Sequence, residues 1–151
     1  MTITNNDIAN QYKIAAFYSF TALSDEIISL YLNEVSEFAE KNEIKGIVLF
    51  ASEGFNGTIC GQKEGVDSFL EILHEPLNGR ELDVKYSWAT RQAFRRFKTR
   101  KKEEIVTMGI EGVSPNDHVG TYIEPRDWNH LIDDPSTLVI DTRNGYEIAV
   151  G

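Results

Sequence analysis

Seven of the chain's fifteen lysines and arginines fall within twelve consecutive positions, RQAFRRFKTRKK at 91–102. They are Arg91, Arg95, Arg96, Lys98, Arg100, Lys101 and Lys102. Lysine and arginine neutralise phosphates and release condensed counterions, so a cluster this dense suits RNA or DNA. Phe94 and Phe97 lie within it and offer stacking surfaces for unpaired bases. The same residues equally describe a solvated, charged edge strand that resists aggregation, with both phenylalanines turned into a core. Composition alone leaves both readings open.

Three other places carry residue types able to do chemistry. The segment EGFNGTICG (53–61) holds Gly54, Gly57 and Gly61. Glycines permit tight turns and close approach by phosphate, but this spacing matches neither a dinucleotide fingerprint nor a P-loop. A hairpin turn is the expectation, with Glu53 in a turn or surface role. Cys60, the one cysteine, lies in an apolar stretch with no neighbouring cation in sequence to activate it, so a buried, inert thiol is expected. Asp141 and Arg143 directly follow an apolar run, where open α/β sheets place their sites; for Asp141 a buried salt bridge that organises the loop is the expectation. A single cysteine excludes an internal disulfide, and His74, His118 and His130 are far apart, so no metal site is expected.

These residues need elements to position them. Ile14–Phe20 reads as a buried strand. Ser24 offers a helix N-cap, with Asp25 and Glu26 in the first turn and apolar residues at helical spacing to a stop near Asn42. A strand over Ile47–Ala51, a turn over SEGFNG (52–57), and extended structure at Thr58–Cys60 suggest a hairpin. Val66, Phe69, Leu70 and Leu73 mark a second helix ended by Pro76 and Gly79. Leu82, Val84, Tyr86 and Trp88 alternate with polar residues as in a half-buried strand. The order β-α-β-β-α-β predicts an α+β fold, the ferredoxin-like sandwich with two helices on one face of a sheet. The basic segment and Ile105, Val106 and Met108 extend it. We therefore expect a domain over 1–108, a linker over 109–121 rich in Gly, Pro, Asn and Asp, and the start of another domain over 122–151. In that last part a short helix is expected at 125–133 and a buried, parallel-type strand at Leu138–Ile140. About thirty residues cannot bury a core of their own, so a continuation is expected.

Bulk composition narrows the classes. Apolar residues make up 41% and charged residues 26%, the balance of a globular protein. No run approaches the roughly 18 apolar residues needed to cross a bilayer, and the first residues lack a basic stretch followed by an apolar one, so cytoplasmic residence without membrane attachment is the expectation. Net charge is −9, which argues against general nucleic-acid affinity. Outside 91–102, eight bases face all 24 acids, so the cationic segment sits on an acidic body.

Four segments together resemble the rhodanese-related tRNA uridine hydroxylase family: SEGFNGTICG (52–61), FKTRKKEEIVTMG (97–109), GTYIEPRDWNHLI (120–132) and LVIDTRNGYEIAVG (138–151). The resemblance implies an N-terminal ferredoxin-like, acylphosphatase-like domain followed by the first elements of an α/β rhodanese domain. VIDTRNGYE (139–147) is similar to the opening strand and loop of rhodanese domains. There Asp141 and Arg143 match the usual Asp-x-Arg pattern, and Asn144 and Glu147 follow as loop supports. Members of the family hydroxylate the wobble uridine of certain tRNAs at C5 with molecular oxygen as co-substrate, giving 5-hydroxyuridine. The resemblance thus implies tRNA, through its anticodon arm, as partner; no cofactor is evident in the sequence. The rhodanese cysteine is expected beyond Gly151; Cys60 is not that residue, and the 151 residues alone are expected to be inactive.

Three competitors remain. A rhodanese-type sulfurtransferase would use a persulfide on the same downstream cysteine. An acylphosphatase-type hydrolase needs an Arg and an Asn near the first strand, and residues 14–24 contain neither. A noncatalytic RNA-binding module would need only the basic segment.

Overall fold

The computed structural model describes residues 11–105 and 120–150, and the chain divides into two compact units, 1–118 and 119–151. In the first unit β1 (Tyr12–Phe20), α1 (Asp25–Lys41), β2 (Lys45–Ala51), β3 (Gly54–Gly61), α2 (Lys63–His74) and β4 (Asp83–Ala89) follow in the expected β-α-β-β-α-β order. A fifth strand, β5 (Phe97–Lys101), joins them. The sheet runs β4-β1-β3-β2-β5. Its pairings are antiparallel except that of β2 with β5, which is parallel.

The Ser24 hydroxyl accepts a hydrogen bond from the Ile27 N–H at 3.3 Å, and Asp25 and Glu26 occupy the positive end of α1. The helix buries Ile28, Tyr31, Val35 and Ala39, spaced along one face. Helix α2 buries Val66, Phe69, Leu70 and Leu73. Both pack on one face of the sheet, against Ala15 and Phe17 of β1, Phe55 and Ile59 of β3, and Val48 and Phe50 of β2. Strand residues alternate between faces, so the intervening positions form a second face that carries no helix among the described residues. Lys13 of β1 lies on the helix face. It is ion-paired with Asp67 of α2, which also accepts from Lys63 at 2.8 Å, and its ammonium sits 4.1 Å from the centre of the Tyr86 ring. The hydrogen bonds from Lys13 and then Lys63 hold the Asp67 carboxyl below the usual carboxylate range.

Three local expectations are corrected. The turn between β2 and β3 is only Ser52 and Glu53, and the remainder of SEGFNG is strand. The glycines there serve close strand approach rather than turning: Gly54 has φ +149°, and a Cβ on it would lie 2.1 Å from the Ser19 carbonyl oxygen. Leu82 is buried, but Tyr86 and Trp88, expected on the covered face, are 54% and 46% exposed, because β4 is an edge strand with a neighbour on one side only. Leu138, Val139 and Ile140 form no strand among the described residues and are largely exposed. Their apolar run has no sheet neighbour there, and a strand exists only through its pairing. The second unit instead carries a 3-10 turn at Pro125–Asp127 leading into α3 (Trp128–Ile132), near the helix expected at 125–133, and a further helix α4 (Gly145–Val150). Val106 and Met108 lie outside the described residues; Ile105 is buried.

Two outcomes are expected from this packing. Gly54→Ala should lower unfolding stability by about 3 kcal/mol, whereas Gly79→Ala, at φ +86° with nothing near its Cβ position, should cost about 1 kcal/mol. Urea titration of both variants measures the difference, and equal losses would refute the close-approach argument. Asp67 is depressed in the folded state, so its contribution is present above the ordinary carboxylate pKa of about 3.9 and lost as pH falls through the depressed folded value. Asp67→Asn should therefore be less stable than the parent at pH 7, with the gap closing on acidification in urea melts.

Candidate nucleic-acid interface

The basic segment has two structural parts. Arg91, Arg95 and Arg96 stand exposed on the loop before β5. Lys98 and Arg100 alternate with Phe97, Thr99 and Lys101 along the strand. The pairing of Ile47 with Lys98 and Leu49 with Arg100 puts these two cations on the sheet face away from the helices. Lys101 points the other way and forms a 2.7 Å ion pair with Asp25 in the first turn of α1. Among the described residues it is the member of the seven engaged in an ion pair. Lys102 is exposed just past the strand. The seven cations thus share one edge of the sheet, split between loop, helix-free face and helix side.

What holds this edge was not read from the sequence. The Gln92 side-chain amide donates to the Cys60 carbonyl at 3.1 Å and to the Glu43 carbonyl at 3.4 Å. The Ala93 N–H donates to the Cys60 Sγ at 3.4 Å. The Gly46 N–H donates to the Arg96 carbonyl at 3.1 Å and the Lys102 N–H to the Phe50 carbonyl at 2.7 Å. The loop is therefore pinned at both ends to β2 and β3, which presents its arginines from a fixed backbone. The signal available in sequence was only a Gln amid arginines, too common to single out. Phe97 is no stacking surface for bases: it packs edge-on against Phe69 at 5.8 Å, part of the core margin. Phe94 is partly buried.

Cys60 is wholly buried, and burial pushes its thiol up, as expected of an inert group. Glu53 takes the turn role expected of it. Its carbonyl accepts from the Thr21 N–H at 3.0 Å, and its carboxylate accepts from the Ile105 N–H at 2.6 Å. No three His, Cys, Asp or Glu side chains among the described residues are placed to hold a metal ion. No helix among them is long and apolar enough to cross a membrane.

In the second unit Arg143 meets Asp141 through a 2.8 Å ion pair, and its backbone N–H donates to the same carboxylate at 3.0 Å. These bonds pull the Asp141 carboxyl below its usual range. The pair is exposed rather than buried, so the expected bridge forms but in solvent. Glu147 accepts from the Asn144 N–H at 3.0 Å and from its side-chain amide at 2.7 Å, reaching back over the first turn of α4 like half a capping box. The four loop residues singled out in sequence therefore make two neighbouring local pairs.

Comparison with known proteins gives the family. The chain is 54% identical over 144 residues to a protein of Prochlorococcus marinus named tRNA uridine(34) hydroxylase; the match covers 95% of this chain and 45% of the relative. A protein of the same name from Parasynechococcus marenigrum is 53% identical over 143 residues, covering 91% of this chain and 44% of the relative. The chain spans about half the length of the curated relatives it matches. Among solved structures, a bacterial light-regulated adenylyl cyclase aligns with TM-score 0.51 at 16% identity, over 67% of this chain and 31% of that one. The dark state of BlrB, a BLUF protein, aligns with TM-score 0.51 at 17% identity, over 63% and 74%. At such identities the likeness is one of fold alone. The family model described as UPF0176 acylphosphatase like domain matches residues 12–105, the whole of the described sheet and both of its helices, and the chain belongs to that family.

Proposed function

We propose that this chain is the N-terminal part of an enzyme that hydroxylates the wobble uridine of tRNA at C5, with molecular oxygen as co-substrate. The observation that carries the reading is the 54% identity, over 95% of the chain, to a relative named tRNA uridine(34) hydroxylase. In this reading the cationic edge of the first unit holds the anticodon arm by its phosphates, while the reactive cysteine belongs to sequence beyond Gly151. Arg91, Arg95 and Arg96 support it, because their loop is pinned and they stand exposed without ion-pair partners among the described residues. Lys98, Arg100 and Lys102 extend the same edge, while Lys101 is tied to Asp25. In the same reading Asp141, Arg143, Asn144 and Glu147 support the loop that opens the rhodanese domain, through their two local pairs.

Deleting the gene and analysing tRNA nucleosides tests the reaction. Loss of 5-hydroxyuridine and its derivatives is the expected result; loss of thiolated bases instead would make the protein a sulfurtransferase. Replacing Arg91, Arg95 and Arg96 together by Glu in the full-length protein tests the grip. Affinity for tRNA should fall roughly tenfold or more at moderate salt, and the slope of log affinity against log salt should shallow by about two to three. Unchanged affinity at low salt would exclude the loop from binding.

A further inference from the structure

The helix-free face of the sheet has a composition of its own. Its centre is formed by Ala16, Tyr18 and Phe20 of β1, Asn56 and Thr58 of β3, and Ile47 of β2. These residues, with Ile105 at the margin, line an open cavity of about 470 Å³, within the range of small-ligand sites. Tyr18 and Phe20 meet edge-on with ring centres 6.0 Å apart. Lys85 of β4 lies at one side of the cavity. Lys98 and Arg100 of β5 share the face from the opposite edge of the sheet. The sheet is five strands wide, so the two cationic margins stand roughly 19 Å apart at about 4.8 Å per strand. Asp83 is the carboxylate lining the cavity.

An apolar, aromatic strip with amide and hydroxyl groups at its centre and cations on both margins has the character of a platform for single-stranded nucleic acid. Bases have an apolar π-face and a polar edge, and their phosphates lie to the sides. A duplex hides its base faces and would meet only the cations. An apolar protein segment would fill the strip but leave three cations unmatched, and a membrane surface would need a convex rather than a hollow face.

Resting on the tRNA reading above, we propose that this face binds one or two unpaired nucleotides of the RNA. A base lies against Tyr18 and Ile47, its edge meets Asn56 and Thr58, and the flanking phosphates meet Lys85 on one side and Lys98 and Arg100 on the other. The pinned loop of Arg91, Arg95 and Arg96 then grips phosphates irrespective of strandedness, while the face selects nucleotides whose bases are free.

The test uses the full-length protein, a fluorescent single-stranded uridine-rich octanucleotide, and an RNA duplex of equal length. The parent should prefer the single strand. Tyr18→Leu and Asn56→Ala should each weaken single-strand binding about tenfold and leave duplex binding nearly unchanged, whereas Lys85→Glu, which removes a phosphate contact, should weaken both. The Arg91, Arg95 and Arg96 reversal should weaken both. A 4-thiouridine in the octanucleotide should cross-link to peptides of β1 or β3. Should Tyr18→Leu fail to fold by circular dichroism, Asn56→Ala carries the same comparison. Single-strand binding unaffected by the face variants but lost in the loop reversal would overturn this proposal while leaving the tRNA reading intact. Binding of both RNAs unaffected by every variant would overturn both, as would a parent that binds neither RNA. Cross-links confined to the loop peptide would overturn the proposal for the face.

Discussion

Gly46 lies opposite Phe97 and Phe50 opposite Lys101, and this parallel register between β2 and β5 governs what the cationic segment can do. A slip of one residue would exchange the faces of every β5 side chain. Phe97 would leave the aromatic contact with Phe69, and Lys98 and Arg100 would turn toward acidic α1. The register is therefore enforced by the core through Phe97 and by the Lys101–Asp25 pair on the helix side. It is closed at both ends by the bonds of Gly46 to Arg96 and Lys102 to Phe50. Packing on one side of the strand thus fixes charge on the other.

Much of this was legible in sequence, for a physical reason. Burial imposes a period on apolar residues, and α1, α2 and the central strands are all buried on one side, so Ile28, Tyr31, Val35 and Ala39 announce their helix without help. The same logic misleads where burial is incomplete. Tyr86 and Trp88 alternate like a half-buried strand, yet an edge strand has fewer neighbours to cover it. At SEGFNG the glycines suggested a long turn, because sequence displays their conformational freedom and hides the two strands that crowd them. For the site, the cations were visible as a cluster, but their division between faces was not, since it depends on pairing with β2, some fifty residues earlier. Gln92, which anchors the loop through Cys60 and Glu43, gave no pattern at all, because hydrogen bonds to carbonyls are made with backbone and leave no trace in residue type.

The second unit illustrates the opposite balance of local and distant forces. Asp141 with Arg143 and Asn144 with Glu147 are separated by two or three residues, so their hydrogen bonds need nothing beyond the loop itself. Leu138, Val139 and Ile140 need sheet neighbours, and among the described residues they have none and stay exposed. Short-range polar order can thus be in place where long-range apolar order is missing, and the exposed run is the costly item. At about 25 cal/mol per Å² of apolar surface, covering three such side chains would stabilise the unit by several kcal/mol.

A net charge of −9 and the RNA-binding role proposed for this edge are compatible because the two act over different distances. At physiological ionic strength the screening length is about 8 Å. A polyanion approaching from afar meets a weakly repulsive body, and one in contact with Arg95, Arg96 or Lys98 responds mainly to those neighbours. Such an arrangement gives up electrostatic steering, so association is slower than for a basic protein, and nonspecific adhesion to nucleic acid is suppressed along with it. In the proposed reading, affinity is then confined to an RNA whose shape brings several phosphates to that one edge together. With unpaired bases at hand for the adjoining face, the proposed choice of a folded tRNA loop over bulk RNA would follow from charge placement and geometry before any base is read.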